Sequence, residues 1–372
     1  MTATPLAGLT VVEFTHMVMG PAAGGILAAL GAEVIRVEPI GGDPTRNLIG
    51  SGSGYYPMYN RHKASICLDL KSPAGLDAAR NLIAAADIVI ENFRPGALDR
   101  LGLGYAAMSA ANPRLIYCAL KGFLPGPYED RTALDEVAQM MGGLAYMTGP
   151  PGQPLRAGAS VIDVTGGMFG VIAILSAVEE RHRTGCGAHI AASLFETTAY
   201  LVGQHMAQFA VTGVAAAPMP ARLSAWAVYD VFSTRDEPVF IGVVSDAQWP
   251  VFCRVFGLSD LAADAALTRN NDRVRARDRI LPVARAAIGA LTRAEVEALL
   301  DGSGLPFAPI RRPEDLFDDP HLLAGGLETV ALPDGRTTEL PALPISFDGN
   351  RPVRAARLTA AGVDEKRGFT PR

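Results

Sequence analysis

Between residues 9 and 120 the chain alternates short apolar runs with small-residue helical stretches, and that alternation narrows the possible folds more than any other feature of its 372 residues. Residues 9–15 read as a buried strand, 21–30 as a helix and 34–38 as a second strand, a βαβ unit within about 30 residues. The pattern recurs in a strand at 65–70, a helix at 75–86 and strands at 88–91 and 115–120. Such alternation predicts an α/β fold with a doubly wound, Rossmann-like parallel sheet, whose ligand lies outside the carboxyl ends of the strands. A long apolar, glycine-rich helix is expected over 163–181, closed by the polar turn at 179–185, and residues 190–201 read as a strand running into another helix. At 212–220 the composition shifts to Ala, Pro and Gly, a linker. Beyond it, strands at 228–232 and 239–244 and helices at 248–256, 278–290 and 293–300 predict a smaller α+β domain. From residue 328 short strands alternate with turns. The expected division is a large domain of 1–211 with about 328–372, and a small domain of 212–327 that includes its linkers.

Composition bounds the chemistry. Hydrophobic residues make up 49% and charged residues 19%, ample for burying cores, and the net charge of -5 comes with scattered basic residues, so no nucleic acid is expected as a partner. Residues 1–8 carry no charged-then-apolar leader, and no uninterrupted apolar run reaches the roughly 18 residues that span a bilayer, so no membrane partner and a cytoplasmic location are expected. Cys67, Cys118, Cys186 and Cys253 form no CxxC pair, and the six histidines show no HExxH spacing. No metal and no cofactor are expected.

Two places hold the chemically informative residues. After the first strand the chain reads Thr15-His16-Met17-Val18-Met19-Gly20-Pro21, with Glu38 ending the βαβ unit. An acid at that distance suits the ribose of a dinucleotide, yet no GxGxxG opens the helix, and Pro21 lacks the N–H that a pyrophosphate would use. Gly20-Pro21 fits a helix start. The second place is Asp163, with apolar residues before it and Gly166-Gly167 after it. A lone carboxylate there either caps a helix or waits as a nucleophile, and its reference pKa of about 3.9 implies that it is almost wholly ionised at neutral pH.

The motifs Leu6-Ala-Gly-Leu-Thr-Val-Val-Glu-Phe-Thr, Gly20-Pro21, Leu30-Gly-Ala-Glu-Val-Ile-Arg36-Val-Glu38-Pro, Asn60-Arg-His-Lys63-Ala-Ser, Glu91-Asn92-Phe93-Arg94-Pro95-Gly96 and Lys121-Gly-Phe-Leu-Pro-Gly-Pro-Tyr occur in order between residues 6 and 128, within a similarity that runs from about residue 6 to residue 348. Together they resemble the class III CoA transferases, the family of formyl-CoA and carnitine CoA transferases. The resemblance implies an interlocked homodimer, an acyl-CoA and a small carboxylate as substrates, and Asp163 as a nucleophile that forms an acyl anhydride and then a CoA thioester. It places CoA on His16, Met17, Val18, Lys71, Asn92, Phe93 and Arg100, and a supporting acid at Asp135. It points to bacterial members that use succinyl-CoA and dicarboxylates such as mesaconate, itaconate or citramalate. Arg131, Arg156 and Arg222 are candidates for a substrate's second carboxylate on chemistry alone.

Three departures from the family pattern matter. The family's racemases carry a His-Asp pair where this chain has Leu134-Asp135, and a 2-methylacyl-CoA racemase needs both an acid and a base. No glycine run occurs between residues 205 and 260, which counts against formate and oxalate. The tail, Arg351-Pro-Val-Arg-Ala-Ala-Arg, lacks the usual Leu-Gly and histidine ending. A CoA-binding protein without activity is the reading outside enzymology.

Overall fold

The computed structural model describes residues 4–222, 224–352, 356–364 and 368–369. The chain divides into two compact units, one of residues 1–220 with 319–372 and one of residues 221–318.

The first unit is built on six parallel strands: β1 (Thr10–Phe14), β2 (Glu33–Glu38), β3 (Ala64–Cys67), β4 (Ile88–Glu91), β5 (Ile116–Lys121) and β6 (Ala188–Ser193). Their order is β3-β2-β1-β4-β5-β6, the 3-2-1-4-5-6 arrangement of a doubly wound dinucleotide-type sheet. The apolar runs are continuous because both faces are covered. Val11, Val34, Ile88, Ile90 and Ile116 face a core shared with the helices Met19–Ala29 and Val161–Thr184. Their neighbours Val12, Ile35, Val89 and Tyr117 face a second core with the helix Pro73–Ala85. That helix starts as its sequence dictates, with Ser72 accepting from the Gly75 N–H and Pro73 at the first turn.

The helix Val161–Thr184 is, by length and composition, long and apolar enough to cross a membrane, contrary to what counting uninterrupted apolar residues suggests. Here it lies on the sheet. Gly166 and Gly167 bring its backbone against the start of Met19–Ala29: a Cβ on Gly167 would come within 2.7 Å of the Met19 carbonyl oxygen, and one on Gly166 within 2.8 Å of Met19 Cε. A Cβ on Gly170 would lie 2.7 Å from Leu120 of β5. The helix is glycine-rich because two neighbours approach closer than a side chain allows. Gly185, at φ 77°, ends it.

Residues after 319 return to the edge of this sheet. A small sheet of β10 (Leu327–Ala331), β11 (Thr337–Pro341) and β12 (Ala356–Arg357) packs by polar contacts near β3: Arg61 and His62 pair with Glu328, the Arg61 guanidinium donates to the Pro341 carbonyl, and the His62 N–H donates to Arg357 O. The second unit carries the antiparallel sheet β7 (Tyr229–Phe232), β8 (Val239–Gly242) and β9 (Phe307–Pro309), with Phe232, Ile241, Phe252, Ile280 and Val296 in its core. The three-residue β9, at the sheet edge where a proline costs no ladder bond, has no sequence signal of its own.

Candidate active site

The winding of the sheet reverses between β1 and β4, so the crevice at their carboxyl ends is the topological switch point. The loops leaving these strands are zipped together there. Asn92 Oδ1 accepts from the His16 N–H at 2.9 Å, Asn92 Nδ2 donates to the His16 carbonyl at 2.9 Å, and the His16 ring stacks on Phe93 with centroids 5.6 Å apart. Between them Met17 adopts φ 62°, a left-handed conformation uncommon for a residue with a side chain, and is exposed. Val18 is buried at the N-cap of Met19–Ala29. His16, Met17, Asn92 and Phe93 therefore form one surface, with the Val18 side chain buried beneath it. Arg100 ends the short helix Ala97–Arg100 that follows the Asn92 loop. Lys71 is exposed at the carboxyl end of β3, two strands away from β1 in the sheet. On the β5 side, Lys121 pairs with Glu91 and donates to the Phe93 carbonyl at 2.8 Å, which fixes the Asn92-Phe93 turn.

Beneath the loop after β1 lies a closed ionic cluster. Arg36, 1% exposed, donates to Glu13 Oε1 at 3.0 Å and to Asn60 Oδ1 at 2.6 Å and pairs with Asp43. Lys63 pairs with Glu13 at 2.7 Å and donates to the Pro21 carbonyl at 2.9 Å, and Thr15 donates its hydroxyl to Glu13. Glu38 accepts from Arg46, Ser65, Tyr56 and the Asp43 N–H; burial pushes its pKa up, but the bonds from Arg46, Ser65 and Asp43 and the charge of Arg36 hold it near 2. That acid is fully occupied by protein donors and does not stand free for a ribose. Three cations meet three carboxylates, and the cluster grips both ends of the segment from Thr15 to Pro21.

Asp163 lies in the first turn of Val161–Thr184, one turn before the contact of Gly166 and Gly167 with Met19. The cap of this helix is Asp135, not Asp163: Asp135 Oδ2 accepts from the N–H groups of Ile162 at 2.9 Å and Asp163 at 3.0 Å. Asp135 is itself buried in the first turn of the helix Asp135–Met141, where Gln139 donates to its other oxygen while accepting from the Ala157 N–H at 2.9 Å. The Asp163 carboxylate receives no protein hydrogen bond among the described residues. Burial, then Asp135, then Glu136 push its pKa up to about 7, with Arg156 pulling the other way. Near-complete ionisation at pH 7, the expectation from the isolated residue, is thus corrected to about half. The phenol pKa of Tyr59 is raised by burial and then by the charge of the same carboxylate. Sequence reasoning passed over Tyr59, Glu136 and Gln139, although Gln139 stands at i+4 from Asp135, a helical spacing that signals such a pair.

The three arginines differ in their settings. Arg156 is paired with Glu136 next to Asp163. Arg131 is exposed, its guanidinium 5.1 Å from the Tyr128 ring centroid. Arg222 belongs to the second unit. Among the described residues no three His, Cys, Asp or Glu side chains are grouped as a metal would require.

The arrangement offers an underivatised, desolvated carboxylate and a crevice of backbone and aromatic surface at a switch point. The model for CoA-transferase family III matches residues 6–360. Succinyl-CoA:glutarate CoA-transferase of Mus musculus is 33% identical over 330 residues, covering 87% of this chain and 76% of that protein. Acetyl-CoA:oxalate CoA-transferase of Acetobacter aceti is 36% identical over 313 residues, covering 82% and 80%. Among solved structures, a CAIB/BAIF family protein from Brucella suis matches with a TM-score of 0.84 at 33% identity over 98% of both chains.

Proposed function

The chain belongs to CoA-transferase family III and is a CoA transferase, and from that premise we propose that it moves CoA from succinyl-CoA to a C5 dicarboxylate such as mesaconate or itaconate. The observation that carries this reading is the Asp163 carboxylate, partly desolvated and free of protein donors, because the cap it could have provided is supplied by Asp135. The relative named for glutarate, itself a C5 dicarboxylate, supports the substrate class.

In the proposed sequence an Asp163 oxygen attacks the thioester carbonyl, the C–S bond breaks, and CoA leaves as thiolate, giving a mixed anhydride. The thiolate then attacks the aspartyl carbonyl, and the donor acid departs as carboxylate. The acceptor carboxylate attacks the aspartyl thioester, expelling thiolate, which takes the acceptor's acyl carbon and frees Asp163. Each step exchanges one acyl bond for another, so neither a metal ion nor a redox cofactor is called for. Burial favours this chemistry because a poorly hydrated carboxylate has less solvent to shed before attack. The surface of His16, Met17, Asn92 and Phe93, with the backbone of the buried Val18 behind it and the exposed Lys71 and Arg100 as further contacts, is the proposed CoA site.

The test is a mass-spectrometric screen with succinyl-CoA and mesaconate, itaconate, citramalate, glutarate, oxalate and formate. The C5 dicarboxylates are expected to yield the highest kcat/KM for acyl-CoA formation. Oxalate belongs in the panel because a 36%-identical relative bears its name. Formation of none of these acyl-CoAs overturns the proposal.

The working form is proposed to be the interlocked homodimer implied by the family resemblance. The helix Gly203–Thr212 buries none of its residues, and Met206 and Phe209, three positions apart on one face, stand exposed on it. An apolar face of that extent calls for a cover. Sedimentation as a monomer at micromolar concentration rules the dimer out.

A further inference from the structure

A succinyl group with one free carboxylate and a dianionic acceptor must both be recognised if the proposed function holds, and the present inference rests on that reading. A dicarboxylate acyl group presents one end to Asp163 and keeps a charged carboxylate at the other, which needs a cation close to the nucleophile but not bonded to it. Arg156 meets this condition. Its backbone runs directly into Ala157, whose N–H is held by Gln139, and Gln139 holds Asp135, which holds the Asp163 N–H. The arginine and the nucleophile are therefore fixed to one frame.

The guanidinium is also partly spent and partly available. Nε donates to the Ala157 carbonyl at 2.9 Å and Nη1 pairs with Glu136, while Nη2 has no protein acceptor among the described residues. The Arg156 side chain is 30% exposed and that of Glu136 is 48% exposed, so the pair sits where solvent, and hence a small acid, has access. A planar guanidinium held at Nε presents its remaining N–H groups in the fork that suits a carboxylate.

We infer that Arg156 binds the distal carboxylate of the dicarboxylate at this site and so sets the preference for diacids over monoacids, with Glu136 orienting the guanidinium and competing for it. Among the described residues Arg131 has no such link to the Asp163 frame, its guanidinium lying 5.1 Å from the Tyr128 ring centroid instead.

The experiment compares glutarate with its monomethyl ester as acceptors at saturating succinyl-CoA, where ping-pong kinetics keep the donor half-reaction out of the acceptor kcat/KM. In Arg156→Gln the ratio of kcat/KM for glutarate over the ester is expected to fall between about tenfold and a hundredfold, as for loss of a charge-assisted hydrogen-bond pair. Arg156→Lys restores part of the ratio, since it keeps the charge without the fork. Glu136→Gln lowers KM for glutarate by roughly threefold, removing a competitor worth a surface ion pair. A folded Arg156→Gln enzyme whose ratio stays within twofold of wild type overturns this inference while leaving the CoA transferase reading intact. A wild type that transfers CoA to no dicarboxylate overturns both.

Discussion

Asp163→Ala is expected to abolish CoA transfer, lowering kcat by roughly 10⁴-fold or more, the scale seen when a covalent nucleophile is removed. The fold should survive the change. What the helix Val161–Thr184 takes from this position is the backbone N–H donated to Asp135, and alanine retains it. Intact-protein mass spectra after incubation with succinyl-CoA should show a CoA adduct in wild type, absent from the variant, and hydroxylamine should convert it to a hydroxamate at Asp163. Turnover by Asp163→Ala within tenfold of wild type would remove the covalent route. Asp163→Asn supplies a second readout that does not involve activity. The folded-state pKa is raised to about 7, above the ordinary 3.8, so between those values the native protein holds a proton that the unfolded chain has released. The contribution of Asp163 to wild-type stability therefore declines as pH rises through that window and is flat above it, whereas the neutral amide contributes no such dependence. In denaturant titrations the advantage of Asp163→Asn over wild type should grow from pH 4 to pH 7.5, to on the order of 1–2 kcal/mol once partial hydration is allowed for.

Arg36→Met is expected to destabilise the protein by about 4 kcal/mol, the cost of stranding buried carboxylates rather than the worth of the pairs themselves. In the native cluster Arg36, Arg46 and Lys63 balance Glu13, Glu38 and Asp43. Without Arg36, Asp43 loses its cation and Glu13 keeps only Lys63. The pairing of Arg36→Met with Asp43→Asn should recover part of the loss, since the remaining charges again cancel. Urea unfolding monitored by circular dichroism measures both. A loss below 1 kcal/mol for the single variant would mean that water reaches the cluster and that its charges are screened.

The sheet was largely legible in the sequence because its strands are buried on both faces and announce themselves as unbroken apolar runs, such as Val11-Val12 and Ile88-Val89-Ile90. The helix start at Gly20-Pro21 was legible for a local reason, since proline acts within one turn, whereas the helix expected from residue 75 begins two residues earlier, at Pro73 behind the Ser72 cap. The cluster beneath the site was not. Asp43, Arg46, Tyr56 and Asn60 lie in a segment of ordinary polar composition, and only the return of the chain past β2 and β3 brings them onto Glu38 and Arg36. Asp163 was ambiguous for a related reason. Nucleophile or cap was undecidable from its neighbours, because the residue that takes over the capping, Asp135, stands 28 positions earlier. The pKa likewise depends on Asp135 and Glu136, which no reading of the Asp163 segment alone could supply.

The larger unit is written in two pieces, with the smaller one encoded between them. Arg46 donates to the carbonyl of Thr359, Thr359 donates to the carbonyl of Lys63, and the Asp364 N–H donates to Ser65, so the edge at β3 is completed by residues some 300 positions downstream. During synthesis the ribosome must deliver the whole 221–318 insert before that edge can close. The insert, contiguous and with its own core, is free to settle while the unfinished sheet waits, and a nascent chain stalled before residue 356 would expose the β3 rim to chaperones and proteases.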